Sequence, residues 1–143
     1  LLVGEDDGDG SYEAALRRRA CEFGVQDRVR LHGRTDDVAS LYQAMDVLCV
    51  PSTFEALGIF AVEGQAAGLP AVASTAVPLE AHAGGAMSRI PLDVSRWAAA
   101  LAAAPADPAA RAEGVARVAA AGYDMHAVAA EVARAYGEIP IRR

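Results

Sequence analysis

Glu55 and Glu63 bracket Gly58 in the run Pro51-Ser52-Thr53-Phe54-Glu55-Ala56-Leu57-Gly58-Ile59-Phe60-Ala61-Val62-Glu63. A glycine where a loop enters a helix lets the backbone approach a ligand closely. The N–H groups of Gly58 and Ile59, with the helix dipole behind them, would face an anion. Glu63 lies four residues after Ile59 and so on the same helical face, while Glu55 sits in the loop above the opening. A phosphate on the helix end, flanked by two carboxylates that accept hydrogen bonds from hydroxyls, is the pattern of groups a sugar nucleotide presents. Each acid also has a plainer reading. Glu63 on an otherwise apolar helix can be a solvated or capping acid, and Glu55 can be a loop acid favoured by the dipole.

The elements that position this loop alternate strand and helix almost to the end of the chain. Leu1–Val3 is an apolar run stopped by Gly4 and an acidic turn, Glu5 to Gly10. Ser11 is a good N-cap for a helix over Tyr12 to Phe23, with Gly24 at the C′ position. Val29 and Leu31 alternate with Arg28, Arg30 and His32, which predicts a short half-buried strand ending at Gly33. Thr35 or Asp36 caps a helix carrying Val38, Leu41, Tyr42 and Met45. Val47-Leu48-Cys49-Val50, closed by Pro51, reads as a strand buried on both faces. A helix follows from about Gly58 to Ala67, stopped by Gly68 and Pro70, and then a buried strand Ala71-Val72-Ala73. Val77 to Gly85 reads as irregular, and Met87 to Leu92 as a last short strand. From Asp93 the chain becomes Ala-rich and helical, over Ser95–Ala104, Pro108–Ala121 and His126–Gly137. Pro105 and Pro108 separate the first two of these helices, and Gly122 with Asp124 ends one and caps the next.

Repeated β-α order with helix-length crossovers predicts an α/β fold with a Rossmann-like open parallel sheet and helices on both faces. Ligands of such sheets bind at the carboxyl ends of strands, which directs attention to four turns: Gly4–Gly10, Gly33–Asp37, Pro51–Gly58 and Ser74–Glu80. The expected organisation is a core over residues 1–92 and C-terminal helices of the same domain over 93–143.

Composition narrows the chemistry. Of 143 residues, 53% are hydrophobic and 22% charged, enough apolar content to fill a core. The net charge of −6 argues against a nucleic-acid or anionic-membrane partner. All 13 basic residues are arginines, which removes Schiff-base chemistry and the P-loop lysine. Cys21 and Cys49 form no disulfide framework and His32, His82 and His126 no metal-ligand spacing, so a reducing, cytoplasmic location is expected. No apolar run reaches the roughly 18 residues of a membrane span. The chain opens on Leu1-Leu2-Val3-Gly4 without an initiator Met or a signal peptide, as expected of a piece of something longer. A receiver domain would need a phosphorylatable Asp where Val50-Pro51 stands, and a Lys. Gly4, Gly8 and Gly10 do not give the G-x-G-x-x-G spacing of a dinucleotide site. A glycosidase with Glu55 and Glu63 as acid and base has no other support in the chain. Trp97 and Tyr136 read as packing residues, Asp46 as a cap, and His82 and Glu80 as loop.

The residues from Glu55 to Glu63, continued by Ala66-Ala67-Gly68-Leu69-Pro70-Ala71-Val72-Ala73, resemble the Glu-x7-Glu motif of retaining GT-B glycosyltransferases of the family 4 type. Leu1-Leu2-Val3-Gly4, Asp27 to Gly33, Ala44 to Ser52 and Tyr123 to Tyr136 resemble that family's flanking strands and closing helix, in order, over about residues 1–137. Ser74 to Glu80 together with Asp93 to Trp97 resembles subfamilies working on exopolysaccharide or capsule.

The resemblance implies the C-terminal, donor-binding half of a GT-B enzyme. Glu63 would bind the nucleotide ribose, and Glu55 the donor sugar near the reacting carbon. Leu57, Gly58 and Ile59 would line the phosphate and sugar pocket, and Gly33 and Arg34 would lie by the base. Transfer would be metal-independent, without a cofactor, from a nucleotide sugar to a glycan or lipid-linked acceptor, with retention at the anomeric carbon. The missing N-terminal domain would supply most of the acceptor side and any peripheral contact with the inner face of the membrane. The alternative is a non-catalytic nucleotide-sugar-binding or interaction remnant. Two positions depart from the family pattern: Ala56 stands where Gly is usual, and Gly64 where Ala is usual. The latter is expected to weaken its helix by about 1 kcal/mol.

Overall fold

The apolar runs at residues 48–50 and 71–74 lie side by side in the computed structural model, which describes residues 1–5, 8–104 and 107–138. Asp6 and Asp7 of the acidic turn, and Pro105 between two helices, fall outside the described residues. Among these, β1 (Leu48–Val50), β2 (Ala71–Ser74) and β3 (Met87–Ile90) form a parallel sheet in that order. Leu48 pairs with Ala71 and Val50 with Ala73, while Ala71 pairs with Met87 and Ser74 with Ile90. The helices are α1 (Ser11–Glu22), α2 (Val38–Gln43), α3 (Ile59–Ala66), α4 (Val94–Ala102), α5 (Pro108–Val118) and α6 (Met125–Glu138), of which α3 and α4 pack on the sheet. This is the α/β architecture that the alternating sequence predicts.

The chain divides into two compact units, Leu1–Ser40 and Leu41–Arg143. In the first, α1 buries only Ala20. A parallel bridge joins Leu2 to Leu31, closed by Leu2 N–H to Arg30 O and His32 N–H to Leu2 O, both 2.8 Å. The two strands expected here are thus a single bridge.

The second unit holds the sheet and its core: Val50, Ala61, Val62, Ala73, Val77, Ala81, Ala83 and Val118, with Leu48, Ala66, Met87 and Tyr123 packed against them. Such small side chains each bury little area, so the layers must approach closely to exclude water. Glycines permit this. A Cβ on Gly64 would come within 2.5 Å of Leu48 Cδ2, so the glycine that costs α3 helix propensity lets the helix settle on β1. A Cβ on Gly68 would collide with the backbone of Ala110 and Arg111, and one on Gly114 with the carbonyl of Ala66, which brings α3 and α5 together.

Several sequence expectations shift. Ser11 is the first residue of α1, after Gly10 in the left-handed conformation (φ 80°), and its N–H donates to the Asp9 carboxylate at 3.0 Å. Asp37, not Thr35 or Asp36, caps α2: it accepts from Ser40 N–H at 3.0 Å, and the helix ends at Gln43, before Met45. β1 is not buried on both faces. Val50 is buried and Cys49 exposed, because alternate residues face opposite sides of a strand and β1 lies at the sheet's edge. β2 is buried throughout. The stretch expected to be irregular carries a 3-10 turn at Leu79–Ala81. Tyr136 is exposed, not packed, on a helix with no buried residue. Trp97 is half-buried and its indole N–H donates to Pro91 O at 3.0 Å. Gly122 (φ 94°) and Asp124, which accepts from His126 and Ala127 N–H, end and restart the helices as read from sequence. No helix among the described residues is long and apolar enough to cross a membrane.

Candidate functional site

The loop after β1 reaches α3 through Gly58, the residue before the helix, in the left-handed region at φ 77° and ψ 44°. A Cβ there would lie 3.1 Å from Val77 Cγ1 and 3.3 Å from Ala81 Cβ. Conformation and space both select glycine, and no side chain caps the helix from this position.

Glu55 supplies the cap instead. Its Oε1 accepts from Gly58 N–H and from Ala56 N–H, both at 3.1 Å, while Ser52 Oγ–H donates to Oε2 at 3.4 Å. The expectation that the Gly58 amide stands open to a ligand is therefore corrected. A carboxylate from its own loop holds it, because an unpaired donor at a helix start is costly and an acid three residues earlier is within reach. Among the described residues, the N–H groups of Ile59 and Phe60 take no protein partner, and both residues are exposed. The first unpartnered amide of this helix start is thus one residue later than the sequence suggests.

Glu63 lies in the second turn of α3 with an exposed side chain. Tyr42 of α2 donates its hydroxyl to Glu63 Oε2 at 3.0 Å, with the Phe60 carbonyl oxygen at 3.4 Å. Tyr42 is 7% exposed. Burial, then the hydrogen bond and negative charge of Glu63, push its phenol well above the ordinary tyrosine range, so it stays a protonated donor. In the sequence Tyr42 reads as one member of an apolar helical stripe. The available signal was that a buried tyrosine hydroxyl needs a polar partner.

Gln65 is the other residue that sequence reasoning missed. It is buried, and its Nε2 donates to Ala61 O at 2.9 Å and Ala81 O at 2.7 Å. Its Oε1 accepts from Ala83 N–H at 3.0 Å and Gly85 N–H at 3.2 Å. One amide thus ties α3 to the segment that follows β2. Arg89 of β3 fastens the start of that segment, donating to Val77 O at 2.7 Å and Thr75 O at 2.8 Å. Ser74 Oγ–H donates to Ser52 O at 2.5 Å, linking the two post-strand loops. His82 is exposed loop, and the Glu80 carbonyl accepts from Tyr123 Oη at 2.7 Å.

Of the predicted site residues, Glu55, Leu57, Gly58, Ile59 and Glu63 share the β1–α3 segment. Leu57 and Ile59 are exposed there. Gly33 and Arg34 belong to the first unit. Gly33 has φ 74° and its carbonyl accepts from Gly4 N–H at 2.9 Å, and Arg34 is exposed. A cleft between the C-terminal half of α3 and α5, lined by Gln65, Gly68, Gly85, Asp107, Gly114 and Arg117, includes neither glutamate. No group of three His, Cys, Asp or Glu among the described residues is placed to hold a metal ion.

Comparison with known proteins gives a consistent result. Residues 1–121 match the family described as Glycosyl transferases group 1. A D-inositol 3-phosphate glycosyltransferase of Thermobispora bispora is 34% identical over 145 residues, 95% of this chain and 34% of that protein. One from Segniliparus rotundus is 34% identical over 113 residues, 76% of this chain and 25% of that protein. The chain spans about a third or less of the length of the curated relatives it matches. Among solved structures, sucrose-phosphate synthase of Thermosynechococcus elongatus superposes with a TM-score of 0.77 at 30% identity, over 96% of this chain and 37% of that one. Anabaena HepE in complex with UDP and glucose gives a TM-score of 0.77 at 22% identity, over 96% and 40% of the two chains. On the family match and this shared fold, the chain belongs to the Glycosyl transferases group 1 family of GT-B glycosyltransferases.

Proposed function

We propose that this chain forms the donor side of a retaining glycosyltransferase that moves a sugar from a nucleotide-activated donor to a glycan or lipid-linked acceptor. The observation that carries the reading is the start of α3, where the amides of Ile59 and Phe60, both exposed residues, lie between a loop carboxylate and a helix carboxylate, each acid already held by hydrogen bonds. Amides at a helix start stabilise the charge that develops on a departing diphosphate. Glu55, fixed by the backbone of its own loop, accepts from donor-sugar hydroxyls near the reacting carbon. Glu63 accepts from the ribose hydroxyls, and Leu57, Gly58 and Ile59 line the space between. Gly33 and Arg34 keep the role that the resemblance gives them, main-chain contact with the base. The reaction as proposed is metal-independent, and the acceptor side and any membrane contact belong to sequence beyond this chain. A complex of a fold neighbour with UDP and glucose supports a nucleotide-sugar partner.

The test is calorimetric binding of nucleotide sugars and nucleotide diphosphates to the chain, followed by transfer and donor-hydrolysis assays of the longer reading frame that carries it. Losing a hydrogen bond to a charged acceptor costs about 1.5–3 kcal/mol. Glu63→Ala should therefore weaken nucleotide binding about 10- to 100-fold. Binding without turnover in the longer protein favours the remnant reading, and no donor binding by either form overturns the site assignment.

A further inference from the structure

Glu63 would do the work proposed for it less well as a free surface carboxylate. Its side chain is exposed, and a glutamate has rotamer freedom to lose on being fixed. An acceptor that must meet two neighbouring hydroxyls at once works best when it is aimed before the ligand arrives. In this chain one group aims it. Tyr42 comes from α2, its ring is held in the interior at 7% exposure, and its hydroxyl reaches Glu63 Oε2 at 3.0 Å. The hydroxyl has a single proton, and of its two neighbours the carboxylate is nearer and more basic than the Phe60 carbonyl at 3.4 Å.

We propose that Tyr42 is a positioning residue for nucleotide recognition: its hydroxyl fixes one oxygen of Glu63 and leaves the other directed at the ribose diol. The proposal rests on the reading of Glu63 as the ribose ligand. It gives α2 a function beyond packing, since the discrimination of ribose from a sugar lacking those hydroxyls is set by an aromatic residue that touches no ligand. The donor character of Tyr42 persists through the physiological range because burial and the adjacent carboxylate both disfavour its phenolate.

The experiment measures dissociation constants of UDP, GDP and ADP, and of their 2′,3′-dideoxy counterparts, for the full chain and for Tyr42→Phe, Glu63→Ala and the double variant. The ratio of dideoxy to ribo constants is the readout. Tyr42→Phe keeps the ring in the core, so dideoxy binding, which also reports folding, should stay within about twofold. Its ribose preference should fall about five- to tenfold, close to the net worth of one intramolecular hydrogen bond, because Tyr42 acts through Glu63 and not on the ligand. The double variant should show no further loss beyond Glu63→Ala, the sign of one coupled unit. Equal weakening of ribo and dideoxy forms by Tyr42→Phe would mean a structural role and overturn the proposal. An unchanged ratio in Tyr42→Phe, with the preference abolished in Glu63→Ala, would overturn the role of Tyr42 alone. A preference that survives Glu63→Ala, or the absence of nucleotide binding by the unaltered chain, would overturn the ribose reading and this inference with it.

Discussion

The two carboxylates at the start of α3 are held in opposite ways. Glu55 is gripped by backbone: the N–H groups of Ala56 and Gly58 converge on one of its oxygens within a single tight turn. Glu63 is gripped by one side-chain hydroxyl from a residue 21 positions earlier, on another helix. The first arrangement is local and follows from the loop's own conformation. The second exists only because the fold brings the Tyr42 hydroxyl to α3. The Glu55 end of this segment is therefore fixed locally, and the Glu63 end depends on tertiary packing.

The largest way to break this contrast is to remove what both acids share, the anchoring of α3. Gln65→Leu keeps approximate shape but strands the buried N–H groups of Ala83 and Gly85. Two unsatisfied donors cost about 2–6 kcal/mol together, a large share of a small domain's stability. Urea denaturation should show a correspondingly lower midpoint, with both carboxylate-dependent affinities lost in parallel. A smaller, more selective change is Glu55→Gln. The amide oxygen can still accept from the loop's two N–H groups, so the turn survives while the charge goes. Nucleotide-sugar affinity should drop about tenfold, with nucleotide diphosphate affinity within about twofold, whereas Glu63→Ala weakens both. Titration against the two ligand classes checks the split.

The smallest effect is on pH dependence. Tyr42 is raised in the folded chain above its unfolded value of 10.0. Its contribution to stability is then fully present below about pH 10 and is lost as pH rises towards its folded value, because only the unfolded state releases that proton first. Melting temperatures compared at about pH 9 and about pH 11 should decline more steeply for the unaltered chain than for Tyr42→Phe.

The sequence is legible where the physics is local. The strand at Ala71–Ser74, the helix opened by Gly58, the stop at Gly68 and the restart at Gly122-Asp124 each follow from apolar runs, glycine conformation and side-chain capping within a few residues. The reading failed where a neighbour decided the outcome. Cys49 is exposed despite its apolar run because of the strand's place in the sheet. Tyr136 sits in a helical pattern that meets no core among the described residues. Gly64 costs its helix propensity, yet Leu48 occupies the space an alanine methyl would need.

The sequence by itself determined the family, the parallel α/β order and the pair of acids flanking a glycine at a helix start, since residue types and spacings carry those directly. Only the tertiary structure decided that Glu55 closes the Gly58 amide, that Tyr42 aims Glu63 and that Gln65 ties the second loop to α3. Hydrogen-bond partners are chosen by distance in space. A hydroxyl or amide in a linear string has many candidate partners, and burial leaves it one or two.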